Sequence, residues 1–293
     1  MKHVSVMTAE CLEYFKDARL ITFYEGTVGA GGHAKAILEA HPEIETYIAC
    51  DKDPEAIEIA KNVLKEWKSK VVFVHGDFGD LDEHLRDEKI KRVDGFFFDL
   101  GVSSMQLDQG QKGFSFMKEG PLDMRMDPSS RLTAREIVNR WPEKELGELF
   151  RELGEEPRWR KAAKVIVEAR KKMKIETTTQ LAAIICSALG GSSKKKLHPA
   201  TLIFQALRMC VNTELESARR GLEKALQLLA PGGRLGVLSF HRGEDRLVKN
   251  IFRDAAKLSG FRLLTKKPRV PTLSEVRANA RCRSAKMRFA ERI

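Results

Sequence analysis

Cysteine is scarce and unpatterned in this chain. Five thiols (Cys11, Cys50, Cys186, Cys210, Cys282) are spread over 293 residues without a CxxC pair, which argues against a disulfide scaffold or a zinc ribbon. The seven histidines also lack metal-ligand spacing, so no metal is expected. No stretch approaches the ~20 apolar residues that a bilayer span needs. The opening Met1-Lys-His-Val-Ser-Val-Met7 has no apolar signal-peptide region, and the expectation is a cytoplasmic protein that meets no membrane. Acidic charge is the minority sign: 41 Asp and Glu face 52 Lys and Arg, leaving an excess of 11 positive charges. That balance suits a polyanionic partner without requiring one.

A dinucleotide fingerprint is missing too, and what replaces it organises the chain. The stretch Phe23-Tyr-Glu-Gly-Thr-Val-Gly-Ala-Gly-Gly-His33 follows a short apolar strand and precedes a helix-forming run, Ala34 to Ala40. Its glycines permit a tight turn and close ligand approach, and the helix they open presents free N–H groups. The next strand, Thr46-Tyr-Ile-Ala-Cys50, delivers Asp51, an acceptor placed to hold two ribose hydroxyls. The pattern predicts a nucleoside site. It resembles the acid-plus-glycine loop of S-adenosylmethionine-dependent methyltransferases, where the helix N-terminus would meet a carboxylate.

The βα rhythm continues through Asp53-Pro54, an N-cap and first-turn pair, and a third strand, Val71-Val-Phe-Val74. Asp77 and Phe78 at its end are either an adenine acceptor and ring contact or a turn with a core aromatic. A fourth strand, Val93 to Phe98, releases Asp99 at the sheet edge where open α/β sheets bind ligands. Asp99 is either functional or a loop cap.

The rhythm then breaks. Apolar stripes at helical spacing (Leu146, Leu149, Phe150, Leu153; Ala162, Val165, Ile166, Ala169; Leu181, Ile184, Ile185, Leu189) predict a helical insertion. Residues 1–113 and 214–293 are expected to form one α/β domain and 114–213 the inserted helical domain. Basic residues from Arg158 to Lys174, and Lys194-Lys-Lys196, point to phosphate contact by that insertion. A long helix, Leu207 to Leu229, is expected to stop at Ala230-Pro-Gly-Gly233. Strands at Arg234–Phe240, Phe261–Thr265 and Ala285–Glu291 complete the sheet, with a basic loop around Arg277, Arg281 and Arg283.

Over nearly its whole length the chain resembles the ribosomal small-subunit RNA methyltransferase H family. The resemblance rests on Glu25-Gly-Thr-Val-Gly-Ala-Gly-Gly-His33, Asp99-Leu-Gly-Val-Ser-Ser-Met-Gln-Leu-Asp108 and Gly113-Phe-Ser-Phe-Met-Lys-Glu-Gly-Pro-Leu-Asp-Met-Arg-Met-Asp127. It extends to His198-Pro-Ala-Thr201, Phe204-Gln-Ala-Leu-Arg208, and Ser239-Phe-His241 with Glu244-Asp-Arg246. Departures are Met105, where the family often has Pro or His, Arg242-Gly243 for Ser-Leu, and Ala280 and Cys282 within an Asn-Pro-Arg-Ala-Arg pattern.

The resemblance implies a seven-stranded class I, Rossmann-like methyltransferase sheet that carries a helical insertion. It implies methyl transfer from S-adenosylmethionine to the exocyclic N4 of a cytidine in 16S ribosomal RNA, as RNA or within the small ribosomal subunit. Homodimerisation is left open. Gly31, Gly32, His33, Asp51, Phe78, Asp99 and Gln106 fall on the family's cofactor positions. For the amine acceptor the first candidates are Asp99, Ser103 and Ser104, with Asp123 and Asp127 behind them. Asp123 is either such an acceptor or a structural partner of Arg125. The rivals are a methyltransferase of small molecules or proteins and a nucleoside-binding RNA chaperone without chemistry.

Overall fold

The computed structural model describes residues 5–190, 198–258 and 260–293. Two compact units divide the chain: Met1–Gly101 with Leu215–Ile293, and Val102–Glu214. The first is α/β. Its strands are β1 (Thr22–Glu25), β2 (Thr46–Asp51), β3 (Val71–His75), β4 (Val93–Asp99), β5 (Leu229–Ser239), β6 (Phe261–Leu263) and β7 (Lys286–Arg292). They form one sheet in the order β3-β2-β1-β4-β5-β7-β6. All pairs are parallel except those of β7, which runs antiparallel to both β5 and β6. This is the doubly wound, seven-stranded arrangement expected.

Burial on both faces explains why the central strands read as unbroken apolar runs. Along β4, Phe97 joins Phe15, Phe23, Tyr47 and Phe289 in one cluster. Its neighbours Phe96 and Phe98 join Tyr24, Leu222 and Phe252 in another. Each ring so buried contributes roughly 1.5–3 kcal/mol. The strand order reverses between β1 and β4, and the loops leaving the C-terminal ends of those two strands flank that point.

The second unit is helical: Ala134–Arg140, Glu143–Glu152, Trp159–Lys172, Thr178–Leu189 and Thr201–Val211 surround Leu146, Phe150, Ile166, Leu181, Ile185 and Phe204. It opens at Val102 rather than at residue 114, because Val102, Leu107 and Phe114 pack into this helical core. The lysines at 194–196 lie outside the described residues.

Three local expectations change. The single helix over 207–229 is two, Thr201–Val211 and Glu214–Leu228, with Thr213 at φ 52° between them. Ala230–Gly233 does not end the helix in a free turn but lies within β5, where the register with β4 shifts between Val93 and Gly95. The basic loop contains a short helix, Leu273–Ala278, capped by the Thr272 side chain. No helix among the described residues is long and apolar enough to cross a membrane.

The helix break has a visible cause. Asn212 is buried; its Nδ2 donates to the carbonyls of Met124 and Arg208 (2.8 Å each), and its Oδ1 accepts from Met126 N–H at 2.8 Å. It thereby clamps Met124, which holds a left-handed φ of 64°. Asn212→Ala leaves buried backbone groups unpaired, and the expected cost is about 3 kcal/mol in chemical denaturation. A loss below about 1 kcal/mol would show that water takes over those bonds.

Candidate active site

The α/β unit builds the site from strand ends. As β1 finishes, Val28 N–H donates to the Cys50 carbonyl and Gly29 N–H to Asp51 Oδ2, both at 2.8 Å. Gly29 and Gly31 take φ values of 51° and 80°, which a side chain would strain. Gly31 then caps the helix Gly32–Ala40 and, as glycine, brings no side chain to bond its first turn. The helix end is therefore an anion-seeking one. Asp51 sits across from it, with Oδ1 taking the Asp53 N–H at 2.9 Å. Its two oxygens are each aimed by a backbone donor, Oδ2 by Gly29 and Oδ1 by Asp53.

Asp99 ends β4 next to this loop. Its N–H donates to Thr27 Oγ1 at 2.6 Å, a tie that sequence reading missed because a threonine among glycines gives no signal of its own. Its carboxylate lies 3.9 Å from His33 Nδ1, and the Asp99 side chain is 29% exposed. Burial first, then the nearby Glu244 and Asp51 charges, push its carboxyl up to about 7. His33 is buried, packs against Phe97 and bonds through Nε2 to the Val6 carbonyl at 2.9 Å.

Beneath the loop lies Glu25, fully buried. Tyr47 Oη donates to its Oε2 at 2.8 Å, while Oε1 has no protein partner. Burial raises its carboxyl to about 8 against the lowering effect of the Tyr47 bond, with Asp99 and Asp51 adding to the rise. Glu244 is buried in the cap of the helix Arg242–Lys257, accepting from the Phe240 and His241 N–H groups at 2.9 and 3.0 Å. The polar run after β5 thus starts a helix and also sets the charge felt by Asp99.

The end of β3 takes the bland alternative at Asp77. Burial opposes ionisation, but Lys52 at 3.1 Å and the Ser217 hydroxyl at 2.6 Å hold its carboxyl below the usual range. The Gly79 N–H also donates to it, so it is a cap and ion-pair partner. The Phe78 ring is 8% exposed and lies 5.2 Å from Phe98; its side chain is core.

The remaining candidates belong to the helical unit. Ser103 and Gln106 form a reciprocal capping box for the helix Ser104–Asp108, with bonds of 3.2 and 3.1 Å. The Ser104 side chain lies outside the described residues. Asp123 takes Arg125 Nε and Nη2 at 2.7 and 2.8 Å. Burial notwithstanding, this bidentate pairing holds its carboxyl below the usual range. The structural alternative is the one realised, and Asp123 falls behind Asp99 as an acceptor. Asp127 accepts from Ser129 N–H within a turn. Among the described residues, no three His, Cys, Asp or Glu side chains are grouped to hold a metal.

An antiparallel β7 wedged between β5 and β6 distinguishes this sheet from the all-parallel dinucleotide-binding kind, and its strand order is that of the class I methyltransferase fold. The particular lineage follows from sequence. The MraW methylase family matches residues 1–293, and the chain belongs to it. A ribosomal RNA small subunit methyltransferase H from Protochlamydia amoebophila (strain UWE25) is 47% identical, over 99% of this chain and 97% of that protein. One of the same name from Persephonella marina (strain DSM 14350 / EX-H1) is 43% identical over 100% of both.

Proposed function

We propose that this protein methylates the exocyclic N4 of a cytidine in 16S ribosomal RNA, with S-adenosylmethionine as donor. The full-length relatives' names support the RNA substrate class. The observation that carries the chemistry is Asp99, a carboxyl poised near neutrality at the C-terminal edge of β4. The α/β unit fits the donor on its own evidence. Gly29 and Gly31 keep the loop backbone bare and left-handed, the helix after them lacks a side-chain cap, and a buried Glu25 oxygen is unpartnered.

When bound, S-adenosylmethionine supplies a methyl group already activated on a sulfonium. Asp51 holds the ribose hydroxyls, and the N-terminus of Gly32–Ala40 receives the carboxylate. Alignment is the principal task, since near-attack placement at about 3–3.5 Å can supply several kcal/mol. Cytosine N4 is a poor nucleophile because its lone pair is delocalised into the ring. Asp99, ionised, accepts a hydrogen bond from the amine, favours a pyramidal nitrogen, and takes the proton that nitrogen sheds as its bond to carbon forms. His33, bonded through Nε2 to the Val6 carbonyl, stands 3.9 Å from the Asp99 carboxylate.

The test is to incubate the protein with isotopically labelled donor and small subunits or their RNA, then digest and analyse nucleosides. Label in N4-methylcytidine is expected. Label in another nucleoside, or only in protein, overturns the assignment.

A further inference from the structure

Within the helical unit, one motif has no part in the chemistry above. His198 is exposed, yet its ring is held on three sides. It stacks on Phe116 with centroids 4.5 Å apart and planes 15° from parallel, and Phe116 in turn packs edge-on against Phe204 at 5.1 Å. Nδ1 accepts the Ala200 N–H at 3.2 Å, which places the ring proton on Nε2. There Cys186 Sγ accepts it at 3.5 Å.

Both nitrogens are thus spent on the protein itself. The imidazole has no free lone pair for a metal or a proton in flight. What it offers outward is its remaining π face, backed by a rigid aromatic layer. Cations stand nearby in the chain. Lys118, exposed, follows Phe116 by two residues. Arg158 is not available in the same way: its Nε is ion-paired with the buried Glu156 at 3.2 Å and its Nη1 is held by the Leu189 carbonyl.

We infer that the His198–Phe116 stack is a platform for one unpaired base of the RNA substrate, with the exposed Lys118 serving the adjoining phosphate. Base-on-aromatic stacking with cations beside it is the chemistry by which proteins hold single-stranded RNA. An apolar peptide would gain nothing from the lysine, and a duplex would offer no free base face. The inference rests on the RNA reading above and adds to it a place where the strand is gripped away from the reacting cytidine.

The experiment measures binding of a short single-stranded RNA carrying one 2-aminopurine, by fluorescence, across a range of salt. His198→Ala is expected to weaken binding roughly 5- to 150-fold, the value of one lost stack. The salt slope should stay at the wild-type value, because no phosphate contact is removed. His198→Phe, which keeps a ring but neither nitrogen, should restore affinity to within a few-fold. In methyl transfer to small subunits, His198→Ala should raise KM and leave kcat unchanged. Wild-type affinity in His198→Ala, or failure of His198→Phe to restore it, overturns the platform while leaving the methylation reading intact. If the wild-type protein binds no RNA and methylates none, the RNA reading itself falls.

Discussion

Asp99→Asn is expected to lower single-turnover methyl transfer by about 10²- to 10⁴-fold, the range for a positioned proton acceptor. The substitution keeps the size of the side chain and the Asp99 N–H bond to Thr27, so the fold is kept. Because the raised carboxyl costs stability as pH climbs towards 7, thermal unfolding of the variant at pH 7 should shift upward rather than fall. A pH profile supplies the second half of the test. With its carboxyl raised to about 7 by burial and by Glu244 and Asp51, Asp99 holds a proton below that pH and cannot accept another. The wild-type rate should therefore fall about tenfold per pH unit below 7 and level off above it. The residual activity of Asp99→Asn should show no such slope. Full activity in the variant removes Asp99 from the chemistry. An unchanged slope with lowered activity transfers the titration to another group.

The second large effect is on stability. Glu25→Gln is expected to stabilise the α/β unit at neutral pH and to leave it nearly unchanged near pH 4.5. The Glu25 carboxyl titrates near 4.5 in the unfolded chain and about 8 in the folded one. Between those values the unfolded state is ionised while the folded state retains its proton. Stability from this group is fully present below about 4.5 and is lost as pH rises through 8. Glutamine carries no such proton, and its oxygen can still accept from Tyr47 Oη. The gain at pH 7 should be on the order of 3 kcal/mol, read by denaturant titration. A gain that is equal at pH 5 and pH 8 would show that packing is the cause and not the charge.

Much of the site was legible because its information is local. The strand, glycine turn, helix and following carboxylate lie within residues 21–51, and each step follows from residue type and spacing. The same holds for Asp99, which needs only an apolar strand and the rule about strand ends. Asp77 was ambiguous for the opposite reason. Its decisive partner, Ser217, is 140 residues away, and spacing along the chain carries no trace of it. The broken helix is a similar case: periodicity runs on through Leu207 to Leu229, while the break at Asn212 depends on the backbone of Met124 and Met126. Asp123 was open between two roles, and only geometry distinguishes a carboxylate gripped by Arg125 from one left for substrate.

The antiparallel placement of β7 bears on how the molecule comes together. Strand β5 exposes an unfinished hydrogen-bonding edge until residues 286–292 arrive to cover it, and β6, made earlier, has no seat until they do. The sheet therefore cannot be completed during synthesis from the front of the chain alone. The helical unit, whose apolar centre is drawn from residues 102–211, has no such wait. A nascent chain interrupted before Lys286 is left with a sticky β5 margin, the kind of unfinished rim that seeds self-association.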